Sequence, residues 1–170
     1  MKTILLVDRH PVFRKGIRSL LEREEDMEVV GEAGDGFEAL DLVKKLAPSV
    51  VVLDVTMPAL NGIEAARLMA AECPGTRILA VSTGYEKQFV NAILQAGASG
   101  CIAKESAPEE LVEGIRTLSR GEGYLSLPIA KLIASDYVRA LSSGAGVRRA
   151  DHLILRAAAS AAAAAARLRA

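Results

Sequence analysis

Five short apolar runs alternate with five stretches of helical spacing along the first 121 residues, and this alternation narrows the possible folds more than any other feature. The runs are residues 3–7, 28–33, 50–53, 77–81 and 99–103. After the first, Val12, Phe13, Ile17, Leu20 and Leu21 recur as one face of a helix, with charges between them. Pro11 suits a first helical turn, Asn61 can cap a helix, and Gly97 and Gly121 can close two others. Strands and helices in strict alternation predict an α/β fold, a doubly wound five-stranded parallel sheet with helices on both faces. The four consecutive apolar residues Val50, Val51, Val52 and Leu53 fit a strand buried on both sides. Right-handed crossovers bring the carboxyl ends of all the strands to one edge, where ligands bind in open α/β sheets.

That edge collects chemistry. The first strand ends in Asp8 and Arg9, the third in Asp54 with Thr56 two residues on, the fourth in Ser82 and Thr83, and the fifth in Lys104. A lone Asp after a strand is usually a turn or cap residue, and a lone Lys is usually a solvated charge. Four such groups at four strand ends are a stronger signal. Two carboxylates and a loop carbonyl suit a hard, oxygen-loving cation such as Mg²⁺. A hydroxyl and an ammonium suit a bound phosphoryl group. Together they describe a phosphorylatable aspartate, with Asp54 as nucleophile and Ser82 and Lys104 holding phosphoryl oxygens.

Charge and length bound the rest. The 170 residues carry 21 basic and 21 acidic side chains, so no global charge points to nucleic acid. The distribution is uneven: residues 1–141 hold 16 Lys/Arg against 20 Asp/Glu, and residues 142–170 hold five Arg against one Asp. Cys73 and Cys101 form neither a disulfide framework nor a metal motif. The opening apolar run meets Asp8 too early for a signal peptide, and no run has the bulk of a membrane span. A cytoplasmic protein without membrane contact is expected. Three segments follow: a domain over 1–121, a linker with a helix over 122–147 (the helix at 129–141), and an Ala/Arg-rich tail over 148–170, helical or disordered.

The motifs around these strand ends resemble the receiver domain of two-component response regulators over about residues 1–121. They are Ile4-Leu5-Leu6-Val7-Asp8, the stretch from Val51 to Pro58 with Gly62, Ile78-Leu79-Ala80-Val81-Ser82, and the stretch from Ala96 to Lys104. The opening Asp8-Arg9-His10-Pro11 and the segment from Gly121 to Ser126 are similar to the NarL/FixJ (LuxR-type) subfamily. The resemblance implies a flavodoxin-like strand order 2-1-3-4-5 with a C-terminal helical extension. It implies phosphorylation of Asp54 by a sensor histidine kinase and a Mg²⁺ cofactor on Asp8, Asp54 and Thr56. It also implies Ser82 and Lys104 as sensors of the phosphoryl group, and output through protein contacts. Such a domain is no enzyme beyond its own phosphorylation and dephosphorylation. A homodimer is an option.

Three positions depart from the pattern. Arg9 stands where the family carries a second acid that ligates Mg²⁺, so the ion should be held weakly. Its guanidinium either pairs with Asp8 or Asp54 in the metal's place or swings into solvent. The first arrangement would make the chain a pseudo-receiver, a binding or dimerisation module independent of phosphorylation. Cys101 stands where receivers carry an aromatic ring that moves with the switch; a thiol is too small to report that motion in the same way. After Leu141 the similarity to a DNA-binding helix-turn-helix stops, which argues against DNA binding by this chain.

Overall fold

The sheet is built from side chains that alternate between two cores. In the computed structural model, which describes residues 1–57, 60–84, 86–106 and 108–143, Leu5 and Val7 of strand β1 (Lys2–Val7) face one core, and Ile4 and Leu6 face the other. Strand β3 (Val50–Asp54) repeats this, with Val51 and Leu53 on one side and Val50 and Val52 on the other. Both faces are apolar because both are covered, so the strands read as continuous runs.

The remaining elements are α1 (Pro11–Leu21), β2 (Met27–Ala33), α2 (Gly36–Leu46), α3 (Gly62–Glu72), β4 (Arg77–Ser82), α4 (Lys87–Gln95), β5 (Gly100–Ala103), α5 (Pro108–Ser119), β6 (Tyr124–Leu125) and α6 (Leu127–Ser142). All five strand pairings are parallel, in the order β2-β1-β3-β4-β5-β6. Helices α1 and α5 pack on the Ile4/Val52 face; α2, α3, α4 and α6 supply residues to the Leu5/Val51 face. The expected doubly wound sheet and its order 2-1-3-4-5 are present.

One strand was not foreseen. Tyr124 and Leu125, read from sequence as part of a connector, pair with Gly100 and Cys101 and extend the sheet past β5. Two residues are too few to show a period, and their ladder exists only because the edge of β5 lies beside them. Buried Leu125, Ile129 and Ile133 then seat α6 in the same core as Cys101. No helix among the described residues is long and apolar enough to cross a membrane. The Ala/Arg-rich stretch 148–170, Pro58, and the place after residue 143 where a helix-turn-helix would continue lie outside the described residues.

Local sequence explains how the loops leave the strands. Asn61 accepts from the Glu64 N–H at 2.9 Å and so caps α3. Gly62 lies so close to the end of β3 that a Cβ there would stand 2.3 Å from Val55 Cα. This close approach packs the start of α3 against the residue that follows β3, and any side chain at residue 62 would push the two apart.

Candidate functional site

The carboxyl ends of β1, β3, β4 and β5 meet at one mouth. Asp54, the last residue of β3, is 1 % exposed, and Asp8, just after β1, is 3 % exposed. Between them stands the ammonium of Lys104, from the turn after β5. Its Nζ lies 2.6 Å from Asp8 Oδ2 and 3.5 Å from Asp54 Oδ2. Two buried carboxylates so close together require a cation, and the lysine supplies it. The register of β4 and β5, extended by the Lys104 N–H donating to the Ser82 carbonyl at 2.7 Å, sets where that side chain starts.

The two oxygens of Asp54 are unequal. Oδ1 accepts from the Thr56 N–H at 2.9 Å and from Thr56 Oγ1 at 2.7 Å. Oδ2 is left facing Lys104. Thr56 thus clamps the carboxylate through one oxygen and presents the other. Ser82, 1 % exposed, donates its hydroxyl proton to the Gly84 carbonyl and points into its own loop. Asp8, Asp54, Thr56 and Lys104 are therefore brought into one hydrogen-bonded group. Ser82 lies at the neighbouring strand end, bonded elsewhere.

Arg9 takes the second of its two expected arrangements. It is exposed, its Nε donates to His10 Nε2 at 3.3 Å, and among the described residues it makes no ion pair with either aspartate. The neighbour of Asp8 that contacts it is His10, itself exposed. Its backbone N–H donates to Asp8 Oδ1 at 2.7 Å, and its Nδ1 lies 3.0 Å from the same oxygen. Asp8, His10 and Asp54 each offer one donor atom within 4.8 Å of the others. These donors suit a divalent cation, and the Lys104 ammonium already stands in for one. Asp8 and Asp54 can supply oxygen to Mg²⁺, but position 9 supplies none.

Two further residues went unrecognised in the sequence. Phe13 was legible only as part of the apolar face of α1, yet its ring centroid lies 4.3 Å from Lys104 Nζ, a cation–π contact. Arg14 donates to the Asp8 carbonyl and, at 3.0 Å, to Glu32, tying the turn after β1 to β2. Nothing in residue spacing links either to Lys104, about ninety positions away. Cys101 is fully buried, and burial pushes its thiol up to about 12. It sits in the core beneath α6 rather than in the mouth.

Comparison with known proteins agrees with this architecture. Residues 4–116 match the response regulator receiver domain family. The chain is 38% identical over 137 residues to the uncharacterized transcriptional regulatory protein YxjL of Bacillus subtilis, covering 81% of this chain and 63% of that one. It is 37% identical to the response regulator UvrY of Escherichia coli, covering 79% and 62%. The match thus spans under two thirds of the length of these relatives. Among solved structures, a LuxR-family two-component response regulator from Aurantimonas sp. superposes with a TM-score of 0.77 at 40% identity, covering 80% of this chain and 97% of that one. The receiver domain of a NarL regulator from Mycobacterium tuberculosis superposes with a TM-score of 0.69 at 35% identity, covering 71% and 98%. With four strand ends converging on a buried carboxylate pair and a family match across about two thirds of its length, this chain belongs to the response regulator receiver domain family, in its NarL/LuxR branch.

Proposed function

We propose that this chain is a phosphoacceptor: Asp54 takes a phosphoryl group from the phosphohistidine of a sensor histidine kinase and holds it until water removes it. The observation that carries this reading is the inequality of the Asp54 oxygens. Thr56 fixes Oδ1, and Oδ2 faces the open mouth and Lys104. In the transfer, Oδ2 attacks phosphorus, the P–N bond to the donor imidazole breaks, and the electron pair stays on that nitrogen. Two donors on Oδ1 orient the carboxylate so that its other oxygen is presented as the nucleophile. The Lys104 ammonium moves from Asp8 to a phosphoryl oxygen and stabilises charge there. The Ser82 hydroxyl must leave the Gly84 carbonyl to donate to another of those oxygens, and this exchange couples the phosphoryl group to the loop after β4.

A divalent cation held by Asp8, Asp54 and Thr56 would neutralise charge on the transferring group. Removal is the reverse in form: water attacks phosphorus and the bond to Asp54 breaks. Output runs through protein contacts, including transcriptional control of the kind that the name of the Bacillus relative states for that protein. The pseudo-receiver alternative draws no support from Arg9, which is exposed and bonded to His10 rather than to either aspartate. Incubation with acetyl phosphate and Mg²⁺, followed by intact mass measurement, tests the proposal. One phosphoryl adduct, absent from Asp54→Ala, is expected; no adduct, or an adduct that survives the substitution, overturns it.

A further inference from the structure

Lys104 reaches the mouth across the face of an aromatic ring. Its Nζ lies 4.3 Å from the Phe13 ring centroid, well inside the roughly 6 Å over which a ring face attracts a cation. The ammonium's other neighbours are Asp8 Oδ2 at 2.6 Å, and Asp54 Oδ2 and His10 Nδ1, each at 3.5 Å. The lysine side chain is only 12 % exposed, so little water competes with the ring. The ring is itself held in place. Phe13 and Ile17 of α1 pack against the core that contains Leu6, Val52 and Val81, and these five residues line a small hollow beside Asp8 and Asp54. Arg14, the next residue, donates to the Asp8 carbonyl and to Glu32 and so fixes the first turn of α1.

We propose that Phe13 is a positioning residue for phosphoryl transfer: its ring face keeps the Lys104 ammonium at the mouth while that ammonium exchanges Asp8 for a phosphoryl oxygen. The inference rests on the reading of Asp54 as phosphoacceptor and of Lys104 as the group that meets the phosphoryl oxygen. It adds the surface over which Lys104 moves, and Phe13 acts only through Lys104.

The need for such a surface follows from the ammonium's own bonds. Its N–H donors sit on a flexible stem and are aimed at particular oxygens. The short bond to Asp8 must lengthen before a bond to a phosphoryl oxygen forms, and in that interval a charge in a buried place needs another partner. A ring face attracts the charge without requiring a direction, so it persists as a partner while the hydrogen bonds change. Asp54 Oδ2, the atom that would carry phosphorus, already lies 3.5 Å from Nζ. The exchange is therefore a short swing that leaves the ammonium within reach of the ring. An aliphatic side chain would fill the hollow and lack the attraction, which separates positioning from packing.

Fluorination of the ring tests this, because it drains the negative face while keeping the shape. The full chain is prepared with a native, a monofluorinated or a trifluorinated phenylalanine at position 13, and as Phe13→Leu. Intact mass followed in time under acetyl phosphate and Mg²⁺ gives the rate of adduct formation on Asp54. The rate should fall in the order native, monofluorinated, trifluorinated, and by about fivefold in the trifluorinated chain and in Phe13→Leu. The ε-methylene proton resonances of Lys104 supply a second readout. They should lie upfield of their positions in Phe13→Leu, both before and after phosphoryl loading, because the ring current acts on whatever stays over the ring. Rates that agree within about twofold for the three rings reduce Phe13 to packing and overturn the inference. An upfield displacement that is absent at rest, or that vanishes on loading, overturns it too. A native chain that takes no adduct sinks the phosphoacceptor reading and this inference with it; an adduct formed equally fast with every ring sinks this inference alone.

Discussion

Asp54 and Lys104 carry opposite burdens in the resting mouth. Lys104 is shared by two carboxylates and sits closer to Asp8, at 2.6 Å, than to Asp54, at 3.5 Å. Neutralising Asp54 therefore leaves a matched Asp8–Lys104 pair, whereas removing the ammonium leaves two buried anions facing each other. Asp54→Asn should leave stability at neutral pH unchanged or raise it by up to about 1 kcal/mol, and Lys104→Ala should lower it by about 3 kcal/mol. Urea midpoints at pH 7 decide this; a loss on Asp54→Asn as large as on Lys104→Ala would contradict the assignment of charges. Cys101 offers a second check at this scale. Its thiol is fully buried and pushed up to about 12 by that burial, while Cys73 is partly exposed, so a thiol reagent at pH 8 should count one cysteine in the native protein and two in denaturant.

At the scale of elements, β6 and α6 are integral to the fold's edge. The Ser126 N–H donates to the Cys101 carbonyl at 3.1 Å, and Ser126 Oγ accepts from the Ala103 N–H at 3.2 Å. A buried serine thus continues the ladder at the end of β5, directly before Lys104. The core that receives Cys101 is closed by Leu125, Ile129 and Ile133, and an ion pair of 2.6 Å between Lys87 and Asp136 joins α4 to α6. Helix α6 thus packs into the core that holds Cys101. Ile129→Ala should cost about 3 kcal/mol through the cavity it leaves, and should also speed the labelling of Cys101. Labelling that stays as slow as in the unsubstituted chain would show that α6 does not shield the thiol. Only part of this was legible beforehand. The helix was, from the spacing of Leu132, Ile133, Tyr137 and Leu141, but a two-residue strand has no period to read. The serine's role depends on a neighbour 23 positions away.

For the whole molecule, an ion-pair network closes the face opposite the mouth that holds Asp54. Arg116 of α5 donates to Asp26 at 2.9 Å and to Glu24 at 2.7 Å, and Lys2 meets Asp26 at 2.8 Å, joining the start of β1, the entry to β2 and α5. The hydrogen bonds from Arg116, then those from Lys2, hold the Asp26 carboxyl well below its ordinary range. A carboxyl depressed in the folded state stabilises fully above its unfolded value, about 3.9, and less as pH falls below it. Arg116→Ala should therefore cost about 1 kcal/mol at pH 7, a value reduced by the partial exposure of these groups. The difference from the unsubstituted chain should shrink as pH falls from 5 towards 2. Denaturant midpoints across that range are the measurement; a gap that widens in acid would refute the linkage.

The sequence by itself determined the alternation of strands and helices, the parallel sheet, and the edge at which Asp8, Asp54, Ser82 and Lys104 gather. Each follows from local periodicity and from the handedness of crossovers, which act along the chain. Tertiary structure decided everything that depends on direction in space: that His10 rather than Arg9 bonds to Asp8, and that Lys104 rests on Asp8 before Asp54. It likewise decided that Phe13 lies under the ammonium and that α6 closes over Cys101. Two adjacent residues in a turn, such as Arg9 and His10, carry no period that says which one faces the site. The neighbours that decide it arrive from other strands.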